Sequence, residues 1–143
     1  MGKTNWTHVF LGGLLAGIVL NILGFASIAM YARNLWKPEV EALNPAFQES
    51  IGFWTFWIVF YLVLGILTIW LYSAIRPRYG AGPKTAVIAG LAVWALWGLS
   101  FVAMSASFGL FSVKLLFTDA LTTLVMMVVA AQLGAWVYKE GSL

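Results

Sequence analysis

Asp119, within residues 113–138, and Asn21, within residues 6–31, are polar side chains set inside long apolar runs of this chain. A carboxylate in hydrocarbon costs about 2.5–3.5 kcal/mol at the bilayer centre, so an intramembrane acid is a candidate for proton or cation handling. Asp119 lies one to two turns inside its run. There a helix N-terminus favours an anion, and the hydroxyls of Thr118, Thr122 and Thr123 are close in sequence. Lys114, five residues earlier, points about 140° away on an ideal helix and is not an i,i+4 partner. Asn21 must find a hydrogen-bond partner, either on a neighbouring helix or on a substrate in transit.

The aromatic residues form the most specific pattern. Trp94, Trp97 and Phe101 repeat at i, i+3, i+7, and Trp54, Trp57 and Tyr61 repeat with the same spacing in another run. At about 1.5 Å per residue, both stripes fall in the outer half of a bilayer. Stripes that face each other would wall an aromatic pocket with Asp119 near its rim, suited to a lipid, quinone or pigment tail. Stripes that face lipid or core would be packing elements only.

Other chemistries are excluded or weakened by composition. The chain has no cysteine, so thiolate metal sites, iron–sulfur clusters, disulfides and thiol nucleophiles are ruled out. Its single histidine, His8, cannot supply two imidazoles to a haem and reads as an interfacial anchor. No nucleophile–base pair, metal set or nucleotide motif is present, so no cofactor, metal or catalytic residue is assigned. The stretch "RPRYGAGPK", residues 76–84, brings glycines close to a lysine, but it lacks the G-x-x-x-x-G-K-[ST] spacing of a phosphate loop.

The elements that must position these residues are helices in lipid. Hydrophobic residues make up 62% of the chain and charged ones 9%, against about 25% charged in a soluble domain. Charges bracket four apolar runs, each long enough to meet the roughly 20 residues that a membrane crossing needs. The expected helices are 6–31, 51–75, 85–106 and 113–138, with Pro38, Pro45, Pro77 and Pro83 between them. Lys3 followed by an apolar stretch has some likeness to a secretory signal, but the run is long for one and reads as a retained helix. The fold class is therefore all-α: a single polytopic membrane domain, an antiparallel bundle of four transmembrane helices. Four crossings put both termini on one side, together with Arg76, Arg78 and Lys84. The positive-inside rule makes that side cytoplasmic, where these three cations suit anionic headgroups. The outer loop 32–50 is the longest and most polar. Val40, Leu43 and Phe47 within it have roughly helical spacing, as for a short helix on the outer surface.

Small residues form stripes: Gly13 and Gly17 with Asn21, Gly90 and Gly98 with Trp94, and Ala130 with Gly134. Such stripes let helix backbones approach closely, either inside the bundle or between protomers. The paired "WLY" at 70–72 and "WVY" at 136–138 fit two hairpin repeats, or the ordinary preference of Trp and Tyr for interfaces.

The segment "WLYSAIRPRYGAGPKTAVIAGLAVW", residues 70–94, with "NW" at 5–6 and "LGAW" at 133–136, resembles an uncharacterised family of small bacterial four-helix membrane proteins, a domain of unknown function. The resemblance implies four helices and a bacterial inner membrane, and it carries over no catalytic residue.

The reading that composition favours is a non-catalytic accessory or interaction subunit. Its partners would be the bilayer and a homo-oligomer or other membrane subunits, with no nucleic acid. Its rival is a small transporter or binder of a lipophilic molecule using Asn21, Asp119 and the aromatic stripes. Reporter tags at Met1 and Leu143 are expected to be protected on the same, cytoplasmic side in protease-accessibility assays; tags on opposite sides would overturn the even number of crossings.

Overall fold

A computed structural model describes residues 4–139. Its helices are α1 (Trp6–Ser27), α2 (Arg33–Leu43), α3 (Ile51–Tyr79), α4 (Pro83–Trp94), α5 (Ser100–Ser107) and α6 (Val113–Val137). A π-helical turn, Ile28–Ala32, joins α1 to α2, and another, Ala95–Leu99, joins α4 to α5. The result is four continuous apolar spans: Trp6–Leu43, Ile51–Tyr79, Pro83–Ser107 and Val113–Val137. Each is long and apolar enough to cross a membrane, and the protein is a multi-pass membrane helix bundle. Among the described residues there is no strand.

Local sequence explains where the helices begin. Asn5, Ser50 and Ser112 each accept a hydrogen bond from the backbone N–H three residues on, at His8, Phe53 and Leu115, which satisfies amides that a helix start leaves unpaired. Pro83 opens α4, where its missing N–H costs nothing. The turn before it needs Gly82 at φ 133°, a conformation that side chains rarely tolerate. The Gly82 N–H donates to the Tyr72 hydroxyl at 3.2 Å, so this amide of the glycine loop is used internally.

Each span packs on its sequence neighbours, and the fourth closes the ring against the first. The two ends of the ring differ. At the proximal end, where the chain enters and leaves the bundle, Asn5 N–H donates to the Tyr138 hydroxyl at 3.3 Å. His8 Nδ1 meets the Val137 carbonyl at 3.0 Å. The Arg76 guanidinium lies over the Tyr138 ring, 5.4 Å from its centre, while Arg78 and Lys84 are exposed. In this half the backbones nearly touch. A methyl group at Gly65 of α3 would collide with the Gly13 carbonyl and the Gly17 amide of α1. Gly12 and Gly134 make the same kind of approach between α1 and α6, and Gly90 rests on Met127 and Ala131 of α6. Ala130 is buried in the core cluster. Phe10, Leu14, Ile22, Val63, Leu121 and Val125 point outward and are exposed, as lipid-facing side chains must be.

The segment expected as an outer loop is helical through Leu43, and Pro38 and Pro77 lie inside helices rather than between them. The reason is positional. Pro38 forfeits one bond, to the Asn34 carbonyl, in a polar stretch where Asn34 and Lys37 are exposed and water can take its place. The i,i+4 pair Lys37–Glu41 at 3.9 Å supports the same turn. Pro77 falls in the last turns of α3, just before the helix ends at Gly80. At about 1.5 Å per residue, the 38-residue first span measures about 57 Å, far more than the ~30 Å hydrocarbon core. Its α2 portion must therefore project or bend over.

Gly65→Ala is expected to cost about 1–3 kcal/mol through overpacking against backbone. Gly52→Ala, whose methyl would meet only the Ser50 hydroxyl at 3.6 Å, should be neutral or stabilising by up to about 1 kcal/mol. SDS titration of helicity in mixed micelles measures both; equal midpoints would contradict the close approach.

Candidate functional site

The distal half of the bundle encloses a cavity of about 580 Å³, within the ~300–1,000 Å³ typical of small-molecule sites. It exists because bulky rings hold the helices apart where glycines held them together. Trp57 and Tyr61 of α3 lie with ring centres 5.9 Å apart, and Tyr61 meets Trp97 of the third span edge-on at 6.2 Å. Phe25 of α1 stacks on Trp54 at 5.5 Å. Asn21 lies deep on one wall, and Asp119 and Thr122 of α6 form another.

α2 forms a lid over this space. It leaves α1 through the π-helical turn and reaches the connection between the third and fourth spans. Glu39 accepts from the Ser112 N–H at 2.7 Å and from the Ser112 hydroxyl. Trp36 packs against Phe101 at 6.0 Å and Phe111 at 5.0 Å. On the opposite edge, Arg33 pairs with Glu49 at 2.9 Å. Beneath the lid, the Tyr31 hydroxyl bonds to Thr122 Oγ1, tying the first span to the fourth.

The polar groups have a definite polarity. Asn21 Nδ2 donates to the Gly17 carbonyl at 2.9 Å and to the Ile58 carbonyl at 3.2 Å. Carbonyls only accept, so these two bonds identify the nitrogen and leave Oδ1 as an accepting group on the cavity wall. Thr118, Thr122 and Thr123 give their hydroxyl protons to the carbonyls of Lys114, Thr118 and Asp119, each at 2.8 Å. Trp36 and Asp119 line the same cavity, and among the described residues Asp119 forms no ion pair.

Among the sequence-derived candidates, Asn21, Trp54, Trp57, Tyr61, Trp97, Phe101 and Asp119 all line this one cavity. Trp94 does not. Its indole folds along its own helix over Gly98, where a methyl would lie 2.8 Å from Nε1, and donates to Thr123 Oγ1 at 3.1 Å. Gly98 thus makes room for a ring of its own helix instead of for a neighbouring helix. Arg76, Arg78, Lys84 and His8 belong to the proximal end, away from the cavity. Sequence reasoning missed Tyr31, Trp36 and Glu39. The amphipathic pattern of 33–43 held the signal, but Pro38 masked it.

Among the described residues no group of three His, Cys, Asp or Glu side chains is placed to hold a metal ion. The arrangement offers apolar faces, hydrogen-bond acceptors and, besides the ion-paired Glu41 and Glu49, the carboxylate of Asp119, which is equipment for holding a molecule.

Removing the lid's anchor by Glu39→Ala should speed amide hydrogen exchange across 33–43 about fivefold. That corresponds to the loss of about 1 kcal/mol from an exposed, charge-assisted bond. Unchanged exchange would mean that α2 is held by its aromatic contacts alone.

No protein-family description, curated protein or solved structure matches this chain, so its function is argued from the cavity itself.

Proposed function

We propose that the chain is a non-catalytic protein of the bacterial inner membrane that holds a lipophilic small molecule in the distal aromatic chamber. The single observation that carries this reading is that Asn21 and Asp119, from different spans, line one continuous cavity together with rings from both aromatic stripes. An accessory subunit, the reading that composition favours, would bury both polar groups within protein and leave no such space. Positive-inside orientation puts the proximal end, with Arg76, Arg78 and Lys84, in the cytoplasm. The chamber then opens toward the outer leaflet, where a membrane-dissolved molecule can reach it. The exposed Arg78 and Lys84 suit anionic lipid headgroups on the cytoplasmic side.

The test is gentle-detergent purification followed by solvent extraction and mass spectrometry. The wild type is expected to carry a hydrophobic small molecule. Trp57→Ala should retain roughly three- to tenfold less of it, as the loss of one aromatic contact implies. Recovery of discrete protein partners with no small molecule would favour the subunit reading and remove this one.

A further inference from the structure

We infer that the occupant of the chamber is an organic cation: a protonated amine, or a comparable monocation, carried on an apolar body. The inference rests on the chamber being a ligand site, and it adds the charge and hydrogen-bonding sense of the ligand.

Three independent features converge. The first is charge. Five charged side chains line the cavity: Arg33, Lys37, Glu41, Glu49 and Asp119. Both cations are paired at the mouth, Arg33 with Glu49 and Lys37 with Glu41. That leaves Asp119 as the carboxylate with no counter-charge, half-buried among rings. An anion in a water-poor, aromatic enclosure is complemented by a cation.

The second is hydrogen-bonding sense. The amide protons of Asn21 and the hydroxyl protons of Thr118, Thr122 and Thr123 are spent on backbone carbonyls. Thr122 Oγ1 and Thr123 Oγ1 are already engaged by Tyr31 and Trp94, so the lone pairs left for the cavity are those of Asn21 Oδ1 on one wall and Thr118 Oγ1 on the other. Together with the Asp119 carboxylate, they call for a guest that donates.

The third is the wall itself. Trp54, Trp57, Tyr61 and Trp97 present π faces and edges around the cavity, and ring faces attract cations, with Trp the best of them. A bare metal ion does not fit. Calcium takes 6–8 oxygen ligands, several of them from carboxylates, and among the described residues no three His, Cys, Asp or Glu side chains are grouped to hold a metal ion. A cation that brings its own apolar surface satisfies the rings and the carboxylate together.

The experiment uses the full chain in lipid nanodiscs and two flat probes that share a ring system. At mildly alkaline pH, proflavine is a monocation with N–H donors and acridine is neutral. Binding is read by quenching of tryptophan fluorescence. The wild type should prefer proflavine. Asp119→Asn should weaken proflavine by at least about tenfold, the equivalent of one charge-assisted bond, while acridine binding stays within about twofold. That retained binding shows the chamber intact. Asp119→Glu should keep the preference. Equal affinity for both probes, unmoved by Asp119→Asn, would overturn the cationic ligand and leave the lipophilic chamber standing. Failure of either probe to bind any variant would overturn both.

Discussion

Hydrocarbon offers no hydrogen bond, and that constraint organises this molecule. Every backbone amide and carbonyl inside the bilayer must be paired by the chain itself, so the spans are helices. Several of their threonine and serine hydroxyls turn back onto their own helices, as Thr68 does onto Leu64 at 2.7 Å and Ser73 onto Trp70 at 2.7 Å. Polar side chains that still reach across the bundle therefore stand out. Asn21 crosses from the first span to the second, Trp94 from the third to the fourth, and Tyr31 from the first to the fourth. These crossings ring the distal half of the molecule.

The same bundle solves two packing problems at its two ends. Lipid tails compete for apolar surface as well as any side chain does, so helices associate by fitting closely. In the proximal half the fit is backbone on backbone through Gly12, Gly13, Gly17, Gly65 and Gly134. In the distal half large rings take the place of glycines, and the helices diverge around the space those rings leave. A tightly sutured half gives a fixed base from which the divergent half can hold its shape. That is the condition for a preformed site rather than one assembled on demand.

How far the sequence could be read follows from the range of each interaction. Spans were legible because charges bracket the apolar runs, and the stripes were legible because helical spacing puts i, i+3 and i+7 on one face. The spacing also placed most of the cavity wall. It misplaced Trp94, since a glycine four residues on lets that ring lie down along its own helix, which a stripe count does not see. A short surface helix near Val40 and Leu43 was legible, but its start at Arg33 and its role as a lid were hidden for two reasons. A proline was taken to end a helix, although it sits where water can replace the lost bond. And the Glu39–Ser112 anchor joins residues 73 positions apart, a separation over which no local pattern speaks. The choice between a packed bundle and a hollow one depended on which faces meet, and it is legible only in three dimensions.

The π-helical turn at Ile28–Ala32 holds one more residue than an α-helical turn would. That surplus sets the angular phase of everything after it. Winding the same five residues as an α-helix would rotate α2 by about 100°. Trp36 would swing off Phe101 and Phe111, and Glu39 off Ser112. The winding of that one turn is thus what aims the cover at the opening, and the first span works as a shaft whose twist decides whether the roof faces the room.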